Sequence, residues 1–276
     1  MNNIIPNTFI VGGSKCGTSA LAKSLNIHPD IFFPYGETHF FSRHFFHQDI
    51  SILSRDEYYM PELNNVKIIG DKSVTHVNDK LYLEAIKKYA GEDSKIIFMM
   101  RDPIDKLLSW YTFMRSLVVS KYNEDYSRFA PGYYEGVLNE MTHETTFSEW
   151  LDFQMERYEF LMEHQPNRMS SMNKIQLSRY DKLIGNIESV FGDNCLYIVS
   201  EEFKYNRNKV LSEVYEYLDV DFIELPYKVV NSSDKRYLNE VDEDKLKPFY
   251  KIFKPGVEKA YEVLGRKVEH WRDYGI

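Results

Sequence analysis

Apolar residues are distributed along this chain in two alternating rhythms. Short apolar runs of strand length lie at Phe9–Val11, Lys67–Gly70, Ile96–Met100 and Cys195–Ser200. Between them apolar residues recur every three or four positions, which predicts helices over Ala20–Asn26, Leu81–Tyr89, Leu183–Phe191 and Asn208–Leu218. A further helix starts at Pro103, where Ile104, Leu107, Leu108 and Tyr111 repeat at helical spacing. Another is predicted over Leu246–Leu264, interrupted near Pro255-Gly256. Strands that alternate with helices predict an α/β fold, a central and mainly parallel sheet with helices on both faces. No linker, repeat or low-complexity tract divides the 276 residues, so the chain reads as one domain, 1–276.

The first apolar run passes directly into a glycine-rich turn, Gly-Gly-Ser-Lys-Cys-Gly-Thr-Ser over Gly12–Ser19, and then into a helix. Strand, turn and helix in that order aim unpaired backbone N–H groups and the positive helix end at one point, where a phosphate would sit. Lys15 adds a mobile positive charge, and Thr18 and Ser19 add hydroxyl donors. The ATP-binding version of this loop wants lysine directly after the last glycine. Here Thr18 holds that place and Lys15 lies inside the loop. The turn reads as an anion cradle or, more plainly, as a strand–helix connection.

Arg101 follows the run Ile96–Met100 and therefore stands at the carboxyl end of a strand, where open α/β sheets place their ligands. Asp102 fits the N-cap of the following helix and Pro103 its first turn. Ser109 lies two turns further on. Arg101 reads either as an anion ligand or as an ion-pair partner of Asp102 or Asp105.

Taken together, these two stretches resemble the sulfotransferases that use 3′-phosphoadenosine 5′-phosphosulfate (PAPS). The resemblance continues through Asn26-Ile27-His28-Pro29-Asp30, Tyr35-Gly36-Glu37-Thr38-His39-Phe40-Phe41 and Asp71-Lys72-Ser73, and it covers residues 8 to 113 well. Glu-x-His-Phe-Phe points to the branch that contains heparan sulfate sulfotransferases and many bacterial enzymes. The resemblance implies a P-loop-like sulfotransferase fold, with Ser14, Lys15, Cys16, Gly17, Thr18 and Ser19 holding the 5′-phosphosulfate and Arg101 with Ser109 holding the 3′-phosphate. It implies Glu37 as general base. Lys15 becomes the cation at the leaving group, and Lys72 and His39 stabilise the transferring group or orient the acceptor.

Two later segments extend the likeness loosely. Ser233-Asp234-Lys235-Arg236-Tyr237 occupies the place of the loop that folds over the nucleotide, although the family's glycine is missing and Asp234 brings a negative charge. Lys235, Arg236 and Tyr237 are its nucleotide candidates. Tyr180, in Ser178-Arg179-Tyr180, either borders the nucleotide or acceptor or is a core aromatic. Asp71, where relatives commonly carry glutamate, orients Lys72 or caps the following turn. His76 lines the acceptor pocket or simply ends its strand.

Sulfuryl transfer fits such a set of residues. Charge lies on the equatorial oxygens of the moving group, so catalysis is positioning plus electrostatic stabilisation, by analogy with phosphoryl transfer. Two cysteines, Cys16 and Cys195, make no disulfide framework, and no apolar run approaches the roughly 20 residues that span a bilayer. A cytoplasmic enzyme is expected. A formal net charge of −8 without a basic stripe disfavours nucleic acid as a partner.

The stretch at about 118–175 breaks the alternation and reads as a helical acceptor-side insertion, rich in aromatics, with ten acids against five bases. A groove for a polyanionic glycan would carry clustered lysine and arginine. The expected acceptor is therefore a neutral or cationic small molecule, with a glycan as the alternative; the plainer reading makes these acids the solvated faces of helices. A P-loop kinase and a non-catalytic nucleotide-binding regulator remain the alternatives of another class. The expected donor is PAPS and the expected product 3′-phosphoadenosine 5′-phosphate (PAP), with no metal required.

Overall fold

The computed structural model describes residues 5–44, 66–119, 140–166, 169–170, 173–225, 237–238 and 241–276. They group into two compact units. The first comprises Met1–Arg101, Tyr180–Val230 and Glu258–Trp271, and the second Asp102–Arg179, Asn231–Val257 and Arg272–Ile276.

The first unit is built on a five-stranded sheet in the order β2-β3-β1-β4-β5, with every described pair parallel. Its strands are β1 (Thr8–Gly12), β2 (Ile31–Phe32), β3 (Ile68–Lys72), β4 (Lys95–Met100) and β5 (Cys195–Val199). Every residue of β1 is buried, as is β4 from Ile96 to Met100, which is why both read as short unbroken apolar runs. The helices of this unit are α1 (Thr18–Leu25), α2 (Phe40–His44), α3 (Lys80–Ala90), α6 (Tyr180–Phe191), α7 (Ser200–Tyr205) and α8 (Arg207–Leu218). Ile10, Leu21, Leu25, Ile97, Met99, Leu211 and Val214 meet in one core cluster, which packs α1 and α8 against the sheet.

In the second unit α4 (Pro103–Val119) and α5 (Phe147–His164) join through an aromatic cluster. The Tyr111 ring lies 5.1 Å from Phe147 and 6.0 Å from Trp150, centroid to centroid. Thr146 and Glu149 form a reciprocal capping box at the start of α5. The acids of α5, Glu149, Asp152, Glu156, Glu159 and Glu163, are exposed, whereas Phe147 and Trp150 are buried. These carboxylates form the solvated face of an amphipathic helix; residues 120–139 of the expected insertion lie outside the described residues.

The parallel sheet expected from the alternation is present, with informative differences. β2 has two residues, too few to leave a periodic signal. β3 runs two residues beyond the expected Gly70, which carries Asp71 and Lys72 on the strand itself. The last helix, α9 (Glu243–Leu264), is continuous through Pro248 and Pro255 instead of breaking near Pro255. Phe249, Phe253, Val257 and Ala260 are all buried at helical spacing along it, and that burial offsets the N–H that Pro255 cannot donate.

Strand order positions the loops. β1 lies between β3 and β4, so the loop after β1 and the residue after β4 emerge side by side at the carboxyl edge, where the connections diverge. Gly12 ends β1 under tight packing: a Cβ there would stand 2.8 Å from Val77 Cγ1 and 3.1 Å from Phe98 Cε2. Gly12→Ala is expected to lower unfolding stability by about 1–3 kcal/mol in urea titration. Gly185→Ala in α6, with open space around it, is expected to raise stability by about 0.5–1 kcal/mol. Equal stabilities for the two variants would contradict this packing.

Candidate functional site

The loop between β1 and α1 is drawn onto the neighbouring strand by Gly13 N–H, which donates to the Met99 carbonyl at 2.8 Å. Lys15 (φ 61) and Gly17 (φ 90) both take left-handed backbone, and for a lysine that conformation costs about 1–2 kcal/mol. Such strain persists where surrounding structure fixes it, commonly at ligand clamps. Gly17 is the N-cap of α1 and offers the helix no side-chain cap. The first turn therefore keeps its N–H groups directed at the loop. The Lys15 amine has its pKa lowered to about 8, first by burial and then by the Arg101 guanidinium, with Glu37 and Cys16 acting in the opposite direction.

Lys72 reaches the same region from the end of β3. Its buried ammonium donates to Ser19 Oγ at 3.1 Å and to Glu37 Oε1 at 3.2 Å. The other carboxylate oxygen of Glu37 accepts from Val74 N–H at 3.3 Å and stands 3.4 Å from His39 Nε2. His39 Nδ1 is 2.9 Å from Thr75 Oγ1. Glu37, His39, Lys72 and Ser19 thus converge, and the Glu37 side chain retains 24% exposure, so an acceptor could reach it. Glu37 and His39 meet across a turn and not along an extended segment. Gly36 (φ 93) and His39 (φ 52) turn the chain, and α2 begins at Phe40.

Beneath this cluster lies a carboxylate that sequence reasoning weighed only as a cap or a lysine partner. Asp71 is fully buried; it accepts from Thr38 Oγ1 at 2.5 Å and from Ser73 Oγ at 2.7 Å. Ser73 Oγ in turn accepts His39 N–H at 3.0 Å. Thr38, Ser73 and Thr75 were not singled out from the sequence; hydroxyls beside each charged motif residue were the available signal. His76 is fully buried in the turn after β3, edge-on to Phe41, and burial lowers its pKa. It ends the strand region, the plainer of its two readings.

At the head of β4, Tyr180 holds Arg101. Its buried hydroxyl donates to the Arg101 carbonyl at 2.6 Å and accepts the Arg101 N–H at 2.9 Å. It also lies 3.8 Å from Cys16 Sγ, so one phenol touches both the cradle loop and the Arg101 turn. The Arg101 guanidinium donates to the Lys15 carbonyl at 3.4 Å. Trp271 stacks on Tyr180 with centroids 5.9 Å apart. Ser14 and Thr18 are buried in the cradle, and Ser19 is exposed.

In the second unit Ser109 is buried on α4. Asp102 caps that helix as expected, accepting the N–H of Ile104 and of Asp105 at 3.0 Å. Tyr237 packs edge-to-face on Tyr111 at 5.3 Å, under the Arg115 guanidinium. Lys235 and Arg236 lie outside the described residues. Among the described residues no group of three or more His, Cys, Asp or Glu is placed to hold a metal ion, and no helix is long and apolar enough to cross a membrane.

Comparison with known proteins bears on family and fold. A 108-residue stretch is 32% identical to heparan sulfate glucosamine 3-O-sulfotransferase 3B1 of Mus musculus, covering 39% of this chain and 26% of that protein. A 120-residue stretch is 30% identical to the bifunctional heparan sulfate N-deacetylase/N-sulfotransferase 3 of Homo sapiens, covering 41% and 13%. The match thus spans about a quarter or less of these curated relatives. A solved sulfotransferase from Alicyclobacillus acidocaldarius superposes over 98% of this chain and 100% of its own, with a TM-score of 0.70 at 22% identity, which shows a shared fold. The sulfotransferase domain model matches residues 6–247, a span that includes the cradle, Glu37, Lys72 and Arg101, and on that match the chain belongs to the sulfotransferase family.

Proposed function

We propose that this protein transfers a sulfuryl group from PAPS to a hydroxyl or amine of an acceptor, by in-line displacement with Glu37 as general base. The observation that carries this reading is the placement of Glu37, held by Lys72, Val74 N–H and His39 at 3.2–3.4 Å and reached through Ser19 from the cradle helix. A carboxylate so fixed is oriented in advance for the proton it must take. PAPS supplies the sulfuryl group. Ser14, Lys15, Cys16, Gly17, Thr18 and Ser19 are assigned to its 5′-phosphosulfate, a fit supported by the uncapped start of α1 and the strained, half-buried Lys15. Arg101 and Ser109 are assigned to the 3′-phosphate, and Lys235, Arg236 and Tyr237 to the covering loop. Tyr180 enters as the residue that holds Arg101.

In the transfer, Glu37 takes the proton of the acceptor O–H or N–H as that atom bonds to sulfur. The bond from sulfur to the 5′-phosphate oxygen breaks, and its electron pair remains on the phosphate beside Lys15. Lys72 and His39 offset charge on the equatorial oxygens and orient the acceptor. The acceptor is proposed to be a neutral or cationic small molecule, on the aromatic and acid-rich composition of the stretch at about 118–175. A glycan is the second reading, favoured by the names of the curated relatives. The enzyme is placed in the cytoplasm.

Glu37→Gln is expected to lower kcat by roughly 10²–10⁴ and to leave PAP affinity within about threefold. Arg101→Ala is expected to weaken PAP by roughly 10–100-fold in calorimetry. A preference for ATP–magnesium over PAP would return the kinase reading, and full activity in Glu37→Gln the regulator reading. Because an anion restores the charge of Lys15, binding takes up a proton once the free enzyme has lost it. PAP affinity is expected to be flat below pH 8 and to fall as pH rises through about 8, by up to about tenfold per unit. Lys15→Met should bind more weakly with no such fall; the same pH slope in both proteins would contradict the assignment. Finally, small alcohols or amines are expected to outpace heparan-type chains as acceptors, and faster sulfation of the polyanion would reverse that choice.

A further inference from the structure

The His39 ring is held by two hydroxyls whose hydrogens can be counted. Ser42 Oγ lies 3.0 Å from the His39 carbonyl oxygen and 2.9 Å from Thr75 Oγ1, and Thr75 Oγ1 lies 2.9 Å from His39 Nδ1. A hydroxyl has one hydrogen to donate, and a carbonyl oxygen only accepts. Ser42 therefore donates to the His39 carbonyl and accepts from Thr75. With its own hydrogen directed at Ser42, Thr75 accepts from the ring, so Nδ1 carries a hydrogen. The other ring nitrogen, Nε2, stands 3.4 Å from Glu37 Oε2. A charge-assisted N–H···O bond is shorter, about 2.7–2.9 Å, and the Lys72 ammonium already compensates Glu37 through Oε1. The distance suits a neutral ring whose Nε2 keeps its lone pair toward the carboxylate. Such a lone pair is placed to receive a proton from Glu37 once the carboxyl has gained one. Glu37, His39, Ser42, Lys72 and Thr75 all belong to the first unit.

We propose that Ser42 and Thr75 are positioning residues that fix a hydrogen on His39 Nδ1, so that Nε2 takes from Glu37 the proton which the base has removed from the acceptor. The Oε2–H bond breaks as the Nε2–H bond forms; the carboxylate is regenerated and the ring becomes an imidazolium. The His39 side chain retains 30% exposure, which lets that proton pass to water before the next turnover. This inference rests on Glu37 as the base and deepens that reading: it gives the proton a destination and His39 a task beside orienting the acceptor. The opposite tautomer would put a hydrogen on Nε2 and close the route with every heavy atom in place.

The test is ¹⁵N NMR of the histidine side chains in the full chain at about pH 8, where an unperturbed imidazole is neutral, with the His39 signals assigned by their loss in His39→Gln. The parent is expected to show hydrogen on Nδ1 and none on Nε2. In Thr75→Val, Nδ1 loses its acceptor and the hydrogen should move to Nε2. That variant should lower kcat roughly tenfold, for the small alcohol or amine that the parent sulfates fastest, and leave PAP affinity within about twofold. Thr75→Ser, which keeps the hydroxyl, should retain the parent tautomer and a kcat within about threefold. Ser42→Ala frees the Thr75 hydrogen to turn toward Nδ1, so it should shift the tautomer while Thr75 stays in place, and it serves if Thr75→Val does not fold. Hydrogen on Nε2 in the parent, or an unchanged tautomer in both Thr75→Val and Ser42→Ala, would overturn the proposal. A shifted tautomer with unchanged kcat would overturn it as well. Glu37→Gln measured in parallel separates the two levels: full activity there removes the base and this inference with it, whereas an inactive Glu37→Gln beside any of the adverse results above sinks the inference alone.

Discussion

A single desolvated carboxylate ties the sheet to the chemistry. Asp71 has no solvent exposure, and a buried charge persists only where donors replace the water it has lost. Thr38 and Ser73 are two such donors, and both adjoin residues of the candidate site. Thr38 follows Glu37, so satisfying Asp71 also sets where the Glu37 loop lies. Ser73 follows Lys72 and accepts the His39 N–H. Packing and polar satisfaction therefore act on the same few residues, and the loop that carries the proposed base is tied to the strand beneath it.

Above that anchor the charges alternate in a way that suits an anionic reactant. Glu37 is compensated by Lys72 and flanked by His39. Lys15, by contrast, gives up basicity, first to burial and then to the like charge of Arg101. Strain at Lys15 and His39 marks the same places. A free loop so arranged carries a cost that a bound anion would offset, a common trade between stability and function. The curated relatives and the Alicyclobacillus acidocaldarius fold are consistent with a shared scaffold. The acids of α5 face solvent as those of an ordinary amphipathic helix do.

Much of this was legible in the sequence because each signal was local. The cradle requires glycines at Gly12 and Gly17, where a close approach to Val77 and Phe98 or a left-handed backbone excludes side chains, and those glycines stand out in the text of the chain. The strands on either side of the active edge are buried on both faces and so appear as unbroken apolar runs. Capping by Asp102 and the first-turn Pro103 were likewise readable from residue types alone. Less legible were the two-residue β2, the length of β3 and the continuity of α9 through Pro255. Each of these depends on burial against distant residues, which overrides local propensity.

The sequence by itself determined the alternation of strands and helices and the glycine-rich turn after β1, and it offered Glu37, His39, Lys72 and Arg101 as candidates, since chemistry and short-range spacing are written along the chain. Only the tertiary structure decided how they are held. Asp71 reaches Thr38 across 33 residues, Tyr180 reaches Arg101 across 79, and Arg272 reaches Asp102 across 170. Partners that far apart leave no periodic trace, because they are chosen by which groups the folded chain deprives of water and must then satisfy.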